Sequence, residues 1–222
     1  MEKNPTKLYW ERRYAKLSPE KIEALQALSA KGELTDELLV IQRKRPKLRV
    51  GDVFILQPKE NTYFYGIIIY ICSTPFAKFQ ETVCIFKTVT HEKNMDAFKL
   101  NFHNLLLPPF ATLRSSWTQG YFYNVGHIDL ESEDIPSCGF YHYPTDQLIS
   151  LDKKQLIFSN KPSTSDMPEL VGRTGIWPYG AVARDITREL IINPNLLNED
   201  NPPSQSDFVI EFPKILHEFF GW

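Results

Sequence analysis

The chain has 222 residues, a length typical of one domain or of one domain with appendages. Its composition is 42% hydrophobic and 23% charged, as in ordinary globular proteins, and its formal net charge of −2 gives no general attraction to nucleic acid. The three cysteines lack metal-ligand spacing, the N-terminus lacks an apolar signal core, and no apolar run reaches the roughly 18 residues of a membrane span. We therefore expect a cytoplasmic protein with free thiols and without a cofactor.

Helices are predicted in an N-terminal segment, residues 1–46. Ser18-Pro19-Glu20 is a helix start, since Ser caps, Pro fits the first turn and Glu favours the positive helix end. Gly32 marks the end of this helix, and residues 35–41 predict a second, short helix that completes a helical hairpin. The basic run 43–47 follows, and we interpret it as a solvated linker in preference to a nucleic-acid patch.

A β-rich body is predicted over residues 47–159, beginning with a hairpin. Residues 50–56 and 63–71 are apolar runs rich in β-branched and aromatic side chains, and a polar break of hairpin-loop length separates them. The second run is apolar on both faces, which predicts a central strand. Gly51 precedes the first strand, where a bend needs no Cβ, and Gly66 marks a bulge or a close backbone approach in the second.

Shorter runs predict further strands, and residues 160–222 form a C-terminal loop-and-helix extension packed on the body. A helix is predicted at 181–192, with Val182 and Ile186 on its apolar face and Glu189 on its polar face. The fold class is therefore α+β: a mainly antiparallel β-sheet or partly open barrel with helices at both ends. The further strands are predicted at 82–89, 105–110, 121–126, 139–143, 147–150, 155–159 and 208–212.

Two features of the body suit a contact with another protein. Trp117, Tyr121 and Tyr123 lie in or beside one predicted strand, and such rings serve equally well in a core or as exposed anchors. An acidic run follows, which is either a solvated loop or a surface complementary to a basic partner such as a nuclease active site. The residues of this run are Asp129, Glu131, Glu133 and Asp134.

Catalytic motifs are missing from the sequence. It contains no phosphate loop, nucleophile elbow or paired CxxC motif, and His91 and His103 have no further ligand at metal spacing. His127 with Asp129 or Glu131 is the one candidate for a general-base cluster. We expect the protein not to be an enzyme and to hold no metal.

The opening of the body also carries a resemblance. The stretch GDVFILQPKENTYFYGIIIYI has a Gly-Asp-aliphatic-Phe strand, a polar turn and a Tyr-x-Tyr-Gly-aliphatic strand, and in this it resembles the immunity protein 26 family of bacterial polymorphic toxin systems. A later stretch, YFYNVGHIDL, with Pro136 and GFYHY after it, is similar to a later part of that family, so the likeness covers residues 47–158. The motif positions, to which we assign a structural role, are Gly51, Asp52, Phe54, Tyr65 and Gly66.

The resemblance implies a cytoplasmic antidote, as in contact-dependent inhibition, that binds a cognate toxin domain and blocks its active site or substrate path. It implies a protein partner and no membrane partner. The alternatives are a nucleic-acid-binding β-barrel with residues 43–49 as its basic edge and, less favoured, a hydrolase that uses His127. The predicted contacts with the toxin are Trp117, Tyr121, Tyr123, Glu131, Glu133 and Asp134.

Overall fold

The computed structural model describes most of the chain, and its fold class is the predicted α+β class. Two open β-sheets form the body, and helices lie at both ends of the chain. Neither strand order closes into a barrel. The described residues are 4–31, 38–72, 80–142, 147–151, 156–159, 167–198 and 207–220.

The larger sheet has six strands in the order β10-β4-β3-β2-β1-β5. All of its pairings are antiparallel except that of β10 with β4, which is parallel. The predicted positions of β1 to β5 are confirmed, although β4 continues through Pro108 and Pro109 instead of stopping there. The strands of the larger sheet are β1 (Asp52–Lys59), β2 (Thr62–Cys72), β3 (Gln80–Thr90), β4 (Leu105–Leu113), β5 (Phe122–His127) and β10 (Ile176–Trp177).

The β1–β2 hairpin occupies the middle of this sheet, as its apolar sequence predicts. Asn61 takes a positive φ of 54° in the tight turn, a conformation that asparagine tolerates well. Gly51 has a φ of +88°, and a Cβ at this position would lie 2.0 Å from the carbonyl oxygen of Ile128. A Cβ at Gly66 would lie 2.3 Å from the Phe54 ring, so this glycine lets the two strands approach closely.

A smaller sheet packs across one face of the larger one. Its order is β8-β7-β6-β9, and β9 is parallel to β6. Cys138 and Leu170 from this sheet join the core on the Val53 and Ile55 face of β1, while Phe54 and Leu56 point into the opposite core. The strands of the smaller sheet are β6 (Cys138–His142), β7 (Gln147–Leu151), β8 (Leu156–Ser159) and β9 (Leu170–Arg173).

The helices cover the outer faces of the two sheets. The helix α4 buries Val182 and Ile186 in the core that also contains Phe54 and Leu56, which confirms its predicted apolar face. Phe212 of α5 and Tyr9 of α1 pack in a third core on the smaller sheet. The helices are α1 (Pro5–Tyr14), α2 (Pro19–Ala30), the short α3 (Ser115–Thr118), α4 (Tyr179–Ile192) and α5 (Asp207–Phe220).

Two predicted elements are wrong. Residues 208–212, predicted as a strand, belong to α5, because a short apolar run fits the buried stripe of a helix equally well. The described residues 38–41 of the predicted second helix are not helical, and Leu39 instead forms an isolated β-bridge with Gln57. The helical pair at the N-terminal end is therefore α1 with α2, and α1 precedes the predicted helix start.

Candidate functional site

Trp117 lies in the core and is not available as an exposed anchor. Its side chain is 1% exposed and packs edge-on against Phe54 and Phe122, with ring centroids 5.1 and 5.0 Å away. Its indole nitrogen donates a hydrogen bond of 2.7 Å to Oδ1 of Asn124. Of the two roles considered for this ring, the structure therefore places Trp117 in the core, where it is not exposed to a partner.

Tyr121 and Tyr123 are both partly buried, but they occupy different environments. The Tyr121 ring stacks on Tyr179 at the start of α4, with centroids 4.0 Å apart. Tyr123 lies on β5, where Nζ of Lys44 is 4.8 Å from its ring centroid and 3.3 Å from its hydroxyl. Because β5 is the last strand at this edge of the larger sheet, Tyr123 is the aromatic residue best placed for a contact.

The acidic run after β5 is exposed throughout. Glu131, Glu133 and Asp134 are all exposed, and the side chain of Asp129 is 98% exposed. A short 3₁₀ turn holds the run in shape, because the Glu131 amide donates to Oδ2 of Asp134 at 2.9 Å. The carboxylates therefore form a negative patch on an ordered segment of the chain.

Asp52 at the start of β1 is connected to the acidic run through His127. The sequence did not predict this connection. Oδ1 of Asp52 lies 2.9 Å from Nδ1 of His127, and Oδ2 accepts a bond of 3.3 Å from the Asn124 amide group. Arg49 contributes two further donors, its backbone amide at 3.0 Å and its Nε at 3.2 Å. Asp52 is 5% exposed, so these partners satisfy a buried carboxylate.

His127 lies between two carboxylates, an arrangement that does not favour base catalysis. Nε2 of His127 is 3.0 Å from Oδ1 of Asp129, and Nδ1 is held by Asp52. Both ring nitrogens therefore already have hydrogen-bond partners, and among the described residues no hydroxyl or thiol is bonded to either of them. The geometry is that of a structural link between β1, β5 and the acidic run, not of a general base beside a nucleophile.

Two thiols are buried in the body of the protein. Cys84 and Cys138 are free, as predicted. Burial raises the pKa of Cys138 to about 12 and raises that of Cys84 well above its usual value, so both remain protonated at neutral pH. Neither thiol is a nucleophile in this state. The described part of the chain contains no group of three or more potential metal ligands.

A basic segment, residues 43–49, runs beside β5. Four of its side chains, those of Arg43, Lys44, Arg45 and Lys47, are exposed, and Arg49 at its end is exposed as well. Lys44 lies over Tyr123, and Arg49 binds Asp52, so the segment contacts β5 directly and β1 at its base. The edge of the larger sheet thus carries positive charge on one side and the acidic patch at its end.

A groove with a volume of about 440 Å³ lies elsewhere, between β10 and α4. Arg184, Asp185 and Arg188 line it. Arg188 forms an ion pair with Asp185 and lies 4.6 Å from the Trp10 ring, so part of this charge is neutralised within the groove. We assign no ligand to it.

A comparison with known protein families gives a match to the middle of the chain. No curated protein and no solved structure matches the chain, and no helix among the described residues has the length and apolar character needed to cross a membrane. Residues 49–148 match the family model described as Immunity protein 26, a range that includes β1 to β6 together with Asp52, His127 and the acidic run. By this match, the β-rich body of the chain is similar to the immunity protein 26 family.

Proposed function

We propose that this protein binds a cognate toxin domain and neutralises it by covering the toxin's active site or substrate path. The match of residues 49–148 to a family of immunity proteins carries the proposal. Inhibition by occlusion needs a rigid, complementary surface and no catalytic group. The described structure suits this requirement, because β5 and the acidic run are held by hydrogen bonds on a six-stranded sheet.

The contact surface of this proposal comprises Tyr123 and the acidic run. The exposed carboxylates of Glu131, Glu133 and Asp134 would oppose the positive charge with which a nuclease binds phosphates. Tyr123 would supply a partly exposed aromatic anchor next to them. Trp117 is buried in the core and has no part in this surface; its indole bonds Asn124 within the sheet. Tyr121 supports the start of α4 through its stacked ring.

The direct test is co-expression with the C-terminal toxin domain that is encoded next to this chain. We expect a 1:1 complex that survives purification, together with loss of toxicity in the producing cell. A toxin that remains active and does not co-purify would refute the proposal for that partner. Size-exclusion chromatography with light scattering measures the stoichiometry, and survival of the producing cells measures neutralisation.

The acidic run is tested by removing its charge without changing its shape. We expect the triple variant Glu131→Gln, Glu133→Gln, Asp134→Asn to slow toxin association about tenfold or more at low salt, because rim charges act mainly on the association rate. The control is Glu20→Gln with Glu23→Gln on α2, which packs on α4 at the other face of the sheet. If the variant and the control associate equally fast, the acidic run does not lie at the interface.

A further inference from the structure

The basic segment has a defined conformation although it contains no helix or strand. At its beginning, the Ile41 amide donates a bond of 2.8 Å to the carbonyl of Gly120. At its end, Leu48 is 7% exposed in the core, and the Arg49 amide donates to Asp52 at 3.0 Å. Both ends are therefore fixed to the sheet, and the side chains between them are presented from an ordered backbone.

The charges of this segment are largely unneutralised. Arg43, Arg45 and Lys47 form no ion pair in the part of the chain that the structure describes, and Lys44 contacts only the ring and hydroxyl of Tyr123. Five positive side chains within seven positions stand out in a chain whose net charge is −2. A protein of this net charge does not need a cluster of positive side chains for solubility. The local charge is better explained by a partner.

The positive and negative runs belong to one surface. Arg49 binds Asp52, Asp52 lies 2.9 Å from His127, and His127 lies 3.0 Å from Asp129 at the start of the acidic run. A nucleic acid is a uniform polyanion, and the exposed carboxylates at the end of β5 would repel its backbone. A folded protein can carry opposite charges on neighbouring patches. The bipolar surface therefore fits a protein better than a nucleic acid.

We propose that residues 43–47 dock against a carboxylate-rich face of the toxin, while the acidic run meets a basic face beside it. This proposal rests on the proposed function and adds the chemistry of the partner. The toxin must present an acidic patch opposite residues 43–47 and a basic patch opposite the acidic run. Pairing of both patches fixes the orientation of the toxin on the sheet, since a rotated toxin would oppose like charges.

The test uses the full-length protein and the purified toxin domain, with association rates measured at several salt concentrations. The variant carries Arg43→Gln, Lys44→Gln, Arg45→Gln and Lys47→Gln, and it retains Arg49 because that side chain binds Asp52. We expect association to slow at least tenfold at low salt, with a weaker salt dependence than that of the wild type. Circular dichroism and urea unfolding establish that the variant is folded.

A matched control removes the same amount of charge elsewhere. It carries glutamine at the exposed Lys7, Lys16, Lys31 and Lys214, so that its net charge equals that of the variant. We expect the control to associate within about threefold of the wild-type rate, because remote exposed charges are screened at physiological salt.

The outcomes separate this proposal from the proposed function. If the wild-type protein forms no complex with the toxin, the proposed function fails and this inference fails with it. If the wild type binds but the variant associates like the control, only the docking of the basic segment is refuted. Salt-sensitive binding of a labelled duplex that the variant loses, with toxin binding unchanged, would also refute it and assign the segment to nucleic acid.

Discussion

The buried ion pair between Arg13 of α1 and Glu189 of α4 provides the sharpest test of how the helices are held. Its two guanidinium nitrogens donate bonds of 2.7 and 2.6 Å to the two carboxylate oxygens, and Nη1 also lies 3.1 Å from the Tyr9 hydroxyl. The side chains are only 6% and 10% exposed. We expect Arg13→Met to lower the free energy of unfolding by about 3–5 kcal/mol, because it leaves a buried carboxylate without its partner.

Replacement of both partners should cost much less than replacement of one. In the double variant Arg13→Met, Glu189→Met neither charge of this pair remains, and we expect a stability within about 1–2 kcal/mol of the wild type. Urea unfolding of the wild type, both single variants and the double variant gives the coupling between the two sites. With an unfolding slope of about 2–3 kcal/mol per molar urea, the single variant should shift the midpoint by roughly 1–2.5 M.

A neighbouring arginine serves as the control. Arg12 pairs with Glu218 of α5 at 2.7 Å, but both side chains are about half exposed. Arg12→Met should therefore leave the urea midpoint nearly unchanged, since solvent screens exposed ion pairs. The reasoning would be refuted if Arg13→Met were as mild as Arg12→Met, or if the double variant lost the sum of the two single losses.

Three further predictions concern the sheet and its charges. Gly66→Ala should destabilise the fold by about 1–3 kcal/mol in urea unfolding, because its Cβ would lie 2.3 Å from the Phe54 ring and 2.9 Å from Ile85; a neutral effect would contradict the close approach. Trp117→Phe should lower the free energy of unfolding by about 1–3 kcal/mol, because it leaves Asn124 without its indole donor. Toxin affinity should stay unchanged. Weakened binding at unchanged stability would instead show that Trp117 contacts the toxin. Burial raises the pKa of Glu81 despite its bond to Arg114, so its contribution to stability is full below the ordinary glutamate pKa and declines as pH rises through the folded value. In thermal unfolding, Glu81→Gln should therefore gain stability relative to the wild type as the pH rises from below the ordinary glutamate pKa through the raised pKa of folded Glu81, and a constant difference would show that the carboxyl is not perturbed.

The central hairpin could be predicted from sequence because its signals are local. Residues 63–71 are apolar on both faces, and only a strand with neighbours on both sides buries such a run. The run at 208–212 is only five residues long and includes Glu211, and its burial depends on α1 and the smaller sheet, which no local pattern reveals. Tertiary contacts therefore decided its structure.

Only the local part of the candidate site could be predicted from the sequence. The acidic run is visible as consecutive carboxylates, but the partner of His127 is Asp52, which is 75 positions away in sequence and meets it only through the register of β1 with β5. Glu189 was placed on a polar helix face because a glutamate normally faces solvent, and its burial depends on Arg13 at the other end of the chain. Pairings of this kind follow from the fold and not from spacing.

The contacts between α1 and the C-terminal helices have a consequence for synthesis on the ribosome. Arg12 and Arg13 are translated 206 and 176 residues before their respective partners, Glu218 and Glu189. At about 5–20 residues per second, the first helix waits on the order of 10–40 s, with its apolar side and a charged arginine in solvent, while the β-rich body is completed. The body can therefore fold before α1 finds its partners, and α1 docks only after α4 and α5 have been translated.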